Sequence, residues 1–280
     1  MKLRFGATSS LSLLLATITV SLAPAALAQH EAGEVKGPSK YLFISNVDLK
    51  PNQGGAYAKV ESDEVQAQRA AGAPDHYFGM WAITGADHVV FMEGFDSFAD
   101  MQKDHEARMA MPKLQATIKT DDAAEAPFIS EIHTSIYKYD EDLSLRAPLD
   151  LAKQRFFRII LFHVRSGRDK DWEHVVKLFA KAYEAIPEAH WAMFEKMYGV
   201  GSDNTYILVT PITSLADVDG MVDGGKKFSD STGEDQLSVL RQQLDADVES
   251  SEADIFALGP DISYVPDSWL TASPDFWGKK

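Results

Sequence analysis

The clearest periodicity in the chain is an apolar stripe, Trp172, Val175, Val176, Phe179, Tyr183 and Ile186, whose three- and four-residue steps predict one face of a helix that Pro187 ends. Ahead of it, Phe156 to Phe162 is a run of apolar and β-branched residues broken by Arg158 alone, which reads as a strand. After it come two more strand-like segments, His190 to Tyr198 and Asn204 to Pro211, then a helix opening at Ser214 and a last strand at Asp254 to Leu258. The first half gives the same order. Tyr41 to Leu49 is a strand that Lys50-Pro51-Asn52-Gln53-Gly54-Gly55 breaks before a helix. His76 to Ile83 and His88 to Phe95 flank the turn Thr84-Gly85-Ala86-Asp87, a helix starts at Ser97, and Ile129 to Tyr139 closes the unit. Ser97 with Asp100, and Ser214 with Asp217, have the spacing of a reciprocal N-terminal cap, so both helices are expected to be capped alike.

The two halves also match residue by residue. Val47-Asp48-Leu49-Lys50 aligns with Phe162-His163-Val164-Arg165 at an offset of 115, and His76-Tyr77 with His190-Trp191 at 114. Gly85-Ala86-Asp87 aligns with Gly201-Ser202-Asp203 at 116, and Asp142-Leu143-Ser144 with Asp261-Ile262-Ser263 at 119. Collinear matches with near-constant offset indicate an internal duplication, with repeats at 40–148 and 149–266 and an aromatic tail at 267–280.

Each repeat therefore reads β-α-β-β-α-β, the split arrangement that builds a four-stranded antiparallel sheet with its helices on one face. Strands such as Tyr41-Leu42-Phe43-Ile44 are apolar at both parities, so the second sheet face also needs a cover, and the other repeat's sheet can supply it. On element order and duplication, the chain resembles the dimeric α/β-barrel superfamily, with two ferredoxin-like units fused in one polypeptide. It also resembles exported bacterial proteins of unknown activity that end in Asp-x-Ser-Tyr and Asp-Phe-Trp, here Asp261-Ile262-Ser263-Tyr264 and Asp275-Phe276-Trp277. The first resemblance implies an α+β fold, two repeats packed sheet to sheet as a pseudo-dimeric barrel. It admits cofactor-free monooxygenases, haem proteins and plain binding modules, so fold alone does not choose a function.

Composition narrows the partners. Lys2 and Arg4 precede the apolar run Leu11 to Val20, and Ala26-Leu27-Ala28 has the form a signal peptidase reads. A leader at 1–28 and a short linker at 29–39 are expected, with the mature protein periplasmic or secreted. Without Lys2 and Arg4, 25 basic residues face 42 acidic ones, a net charge of −17 that disfavours nucleic acid. No membrane span is expected, and a homodimer stays open. The absence of cysteine removes disulfides and thiolate sites.

No nucleophile motif is present, so the candidates are groups expected to face a barrel cavity. His163, His190 and His76 are the candidate bases or axial ligands, because a neutral imidazole serves either role. His76 and His190 hold matched positions, whereas His163 stands where the first copy has Asp48. Trp81, Trp191, Tyr198, His133 and Glu195 are the candidate ligand-binding residues. No histidine pair has metal-ligand spacing, so no metal is expected; no cofactor is expected either, with haem kept as an alternative. These features favour binding of a small, largely apolar ligand, with a cofactor-independent monooxygenase or haem-linked enzyme as the first alternative and a protein-interaction module as the second.

Overall fold

Strand alternation and duplication together produce one closed barrel. The computed structural model describes residues 37–147, 150–201 and 204–278. The expected leader, most of the linker and the Ser202-Asp203 half of one repeat match lie outside the described residues. In the first repeat, β1 (Tyr41–Leu49) leads to α1 (Gly54–Ala71), β2 (Tyr77–Ala82) and β3 (His88–Phe95). Then come α2 (Phe98–Met109), α3 (Pro112–Glu125) and β4 (Ile129–Leu145). After a 3₁₀ turn at Leu151–Lys153, the second repeat runs through β5 (Phe156–Val164), α4 (Asp169–Tyr183), β6 (Trp191–Gly199) and β7 (Thr205–Ile212). It ends with α5 (Ala216–Thr232), α6 (Glu234–Asp247) and β8 (Val248–Tyr264), and the tail adds α7 (Asp267–Ala272) and α8 (Pro274–Trp277).

The strand order around the barrel is β1-β3-β2-β8-β5-β7-β6-β4, which is two ferredoxin-like sheets joined at both edges. Every neighbouring pair is antiparallel, so β1, β2, β5 and β6 point one way and the other four point back. The seams are β2 with β8 and β4 with β6, made by the 17-residue strands β4 and β8 that outrun their own sheets.

Both seams are sealed by the repeat-matched serines. Ser263 Oγ accepts from the Gly79 amide at 2.9 Å and donates to the Gly259 carbonyl at 2.6 Å. Ser144 Oγ accepts from the Met193 amide at 2.9 Å and donates to the Asp140 carbonyl. The Asp-x-Ser match thus marks where each long strand bulges at a seam. Gly79 and Gly199 let backbones meet there: a Cβ on Gly79 would lie 2.8 Å from the Ile262 carbonyl oxygen, and one on Gly199, at φ +126°, would collide with that of Thr134.

Inward-facing side chains fill the barrel. Ile44, Met80, Met92, Tyr137, Phe157, Phe194, Val209 and Leu258 form one buried cluster drawn from all eight strands. The barrel interior is mostly core. The aromatic tail, expected to fold back over apolar surface, packs on this cluster: Trp269 stacks on Phe78 with ring centroids 6.0 Å apart, and the Trp277 Nε1–H donates to the Ala152 carbonyl at 2.8 Å. Trp277→Phe should cost about 0.5–1.5 kcal/mol in thermal unfolding, because it removes one buried hydrogen bond from the Ala152 carbonyl, which keeps the Arg155 donor at 3.2 Å.

Two sequence expectations are corrected here. Each single helix after the third strand is a pair, split where Pro112 opens α3 and where Gly233, at φ +81°, separates α5 from α6. The caps also differ. Ser97 Oγ accepts from the Asp100 amide at 3.0 Å and donates to its carboxylate at 2.6 Å. In the second copy Asp217 accepts from the Thr213 and Ser214 amides, but no side chain caps α5 at its N-cap residue, Leu215.

Candidate functional site

Alternation on each strand sends one residue into the barrel and the next toward the helices, and among the described residues the helix side of the second repeat holds a large open space. This cavity, about 740 Å³, lies between the outer face of β5, β6 and β7 and helices α4 and α5. Ile160 and Phe162 of β5, Met193 of β6 and Leu208 of β7 form its floor. Trp172, Val176, Phe179 and Tyr183 of α4, the stripe legible in the sequence, form one wall, and Gly220, Met221 and Gly224 of α5 form another. The apolar stripe that predicted a helix thus furnishes one wall of the cavity. Arg158, Thr210 and His190 are among its polar lining groups, with Gln154, Glu188, Thr213 and Asp217.

A second cavity of about 230 Å³ lies at the barrel end where β1 and β5 begin, among Leu42, Phe78, Phe157, Phe194 and Trp269. Its volume is below the ~300 Å³ at which pockets begin to enclose a drug-sized molecule. The expectation of a ligand inside the barrel is corrected by the packed interior; the larger space is outside it.

The sequence-selected residues fall in five places. His190 and Trp191 line the large cavity, and His76 and Trp191 line the small one. Trp81 lies on the outer face of the first repeat, edge-on to Tyr57 at 6.3 Å, because β2 is apolar on both faces and its odd positions face α1. Tyr198 is 59% exposed, with its ring near Phe98, and Glu195 is exposed beside Lys138. His133 and His163 lie at the barrel end opposite the tail, where β1 and β5 finish.

The histidines are engaged differently. His190 Nδ1 is 2.9 Å from the Glu188 carbonyl and Nε2 is 2.8 Å from the Pro211 carbonyl, so backbone oxygens occupy both ring nitrogens. His76 stacks on Tyr264 at 4.7 Å, and burial pushes its pKa down. His163 Nδ1 lies 3.3 Å from Thr205 Oγ1. His133 Nε2 is 3.2 Å from Glu131, and with Asp48 these side chains bring three metal-capable atoms within 4.8 Å of one another. The Glu131-x-His133 spacing, two residues apart on one strand face, is the sequence signal for this group, and a search for histidine pairs passes over it.

In the first repeat the helix side is closed by buried acids instead. Tyr57 donates to Glu61 at 2.6 Å and Gln68 to Glu64 at 2.7 Å, on an α1 face spaced Tyr57, Glu61, Val65, Gln68. Burial pushes the Glu64 carboxyl up to about 7 and that of Glu93 up to about 8. Glu61 and Glu125 are raised together, by burial first and then by the neighbouring carboxylates.

No protein-family model matches the chain, and no curated protein matches it. Solved structures do. An anthrone oxidase-like protein superposes with a TM-score of 0.51 at 9% identity, over 79% of this chain and 92% of its own. A proposed monooxygenase of Fusobacterium nucleatum subsp. nucleatum gives 0.50 at 9% identity, over 79% and 93%. A proposed chlorite dismutase gives 0.46 at 13% identity, over 83% and 99%. The fold is the dimeric α/β barrel. In this dimeric α/β barrel one chain supplies both halves.

A histidine-ligated haem needs an imidazole nitrogen free to face its cavity. The large cavity offers one imidazole, His190, whose nitrogens both face carbonyl oxygens, and His76 serves only the small space. The residues lining the large cavity thus supply no axial histidine for haem.

Proposed function

We propose that this protein binds a small, largely apolar organic molecule between the sheet of its second repeat and helices α4 and α5. The observation that carries this reading is the cavity of about 740 Å³, inside the ~300–1,000 Å³ range of small-molecule sites and walled by Phe162, Trp172, Phe179 and Tyr183. The leader expected at 1–28 puts the binding outside the cytoplasm, in the periplasm or the medium.

Gly224→Leu tests it. Gly224 lines the cavity from α5, and a Cβ there would stand 3.8 Å from Ile186, in ordinary contact. The leucine should fill part of the space and, by removing a helical glycine, stabilise the fold by about 1 kcal/mol. Native mass spectrometry of protein from its own host should show a bound small molecule in the wild type and its loss in the variant, with Tm raised. Absence of any ligand, and no uptake of the neutral dye Nile red, would overturn the reading.

The second reading is a cofactor-independent monooxygenase acting on the molecule held there. The shared fold of the anthrone oxidase-like protein favours it. Oxygen uptake on adding anthrone to purified protein, above the rate without protein, would support it; no increase would leave binding alone.

A further inference from the structure

One guanidinium interrupts the apolar lining of the large cavity. Arg158 stands on the outer face of β5, between Thr210 of β7 and Ile255 of β8, and is half-buried. Among the described residues it makes no ion pair and no side-chain hydrogen bond; the one titratable group acting on it is Tyr183, and burial pushes its pKa down. Three other arginines are committed. Arg146 donates to the carbonyls of Glu184, Ile186 and Ala189, Arg155 to those of Ala152 and Gln154, and Arg168 pairs with Asp171 and Asp247.

The acids lining the cavity are committed as well. Glu188 pairs with Lys227 at 2.9 Å, and Asp217 accepts from Thr213 and Ser214. An unpaired charge that is partly desolvated on an apolar wall is costly, so its place favours a counter-charge. A further unmet donor belongs to the same lining: Trp172 is 1% exposed and its Nε1–H has no partner among the described residues.

The duplication supplies a control. Phe43 pairs with Glu93 across β1 and β3 as Arg158 pairs with Thr210 across β5 and β7, so Phe43 is the first repeat's equivalent. There the ring packs among Tyr41, Phe95 and Phe98 without open volume. The arginine and the cavity occur together in one copy and are both missing from the other.

We infer that Arg158 is the anchor for a carboxylate, so that the ligand is an organic acid whose apolar body occupies the space beneath α5. The planar guanidinium matches a carboxylate with two parallel N–H donors. This inference rests on the binding reading above.

The test uses matched pairs of probes with the mature protein: 2-naphthoate against 2-naphthylmethanol, and decanoate against decanol, followed by calorimetry and by the fluorescence of Trp172 and Trp191. At neutral pH at least one acid should bind ten-fold or more tightly than its alcohol. Arg158→Gln should abolish that preference while leaving the alcohol's affinity within two-fold, and Arg158→Lys should keep part of it. Circular dichroism checks that each variant folds, and a lysine variant that folds keeps the test decisive if the glutamine one does not. Acids binding no more tightly than alcohols, or a preference unchanged in Arg158→Gln, would overturn the carboxylate anchor and leave the cavity reading intact. Failure of all four probes in the wild type would overturn both.

Discussion

Expressed alone, residues 29–148 should give no stable monomer, only aggregate or a dimer that rebuilds the barrel from two copies. Separation removes both seams, β2 with β8 and β4 with β6, and uncovers the inner face carrying Ile44, Met80, Val90, Met92 and Tyr137. Each such side chain contributes about 1.5–3 kcal/mol when buried. The five together are comparable to a typical domain's whole stability of ~5–15 kcal/mol. Two exposed strand edges would add a template for association. Sedimentation and a thermal melt decide it: a monomeric fragment with a cooperative transition would show that the halves do not depend on each other. The intact chain should unfold in one transition.

Stability should fall as pH rises from 5 to 9, by several kcal/mol, because the first repeat keeps carboxyls protonated. An unfolded glutamate titrates near 4.5, whereas Glu64 is pushed up to about 7 and Glu93 up to about 8, and Glu61 with Glu125 moves the same way. Between those values the folded chain binds more protons than the unfolded one, so raising the pH favours unfolding. The contribution is complete below about 4.5 and is lost as the pH passes through the folded-state values, each tenfold gain in proton affinity on folding being worth about 1.4 kcal/mol per group. Glu61→Gln isolates the effect, since the amide oxygen can still accept from Tyr57. It should raise Tm at pH 8 and leave it nearly unchanged at pH 5. A pH-independent gain, or none, would assign the acids another role.

Most of the architecture was legible because it rests on local periodicity. The Trp172 to Ile186 stripe gave α4, the alternating runs gave the strands, and Ser97 with Asp100 gave a true cap. Duplication supplied the pairing of halves, and the matched serines proved to be seam residues. The site was less legible for a physical reason. A strand apolar at both parities does not reveal which side faces the barrel, and that ambiguity misplaced Trp81. Arg158, a lone charge in an apolar run, read as part of a strand and nothing more. Its importance comes from the distance α5 keeps from the sheet, set by contacts remote in sequence. The buried acids were hidden similarly, since Glu61 and Glu64 on a helix look like a solvated face until α3 packs over them.

Consecutive residues of β5 face opposite ways: Phe157 and Leu161 join the cohesive interior, while Arg158 and Phe162 line the large cavity, the recognition surface proposed above. Recognition and cohesion are thereby interleaved along one segment yet kept apart in space. Natural variation at the even-numbered places of β5 can retune what is recognised without loosening the hoop, whereas variation at the odd-numbered ones is paid in melting temperature alone.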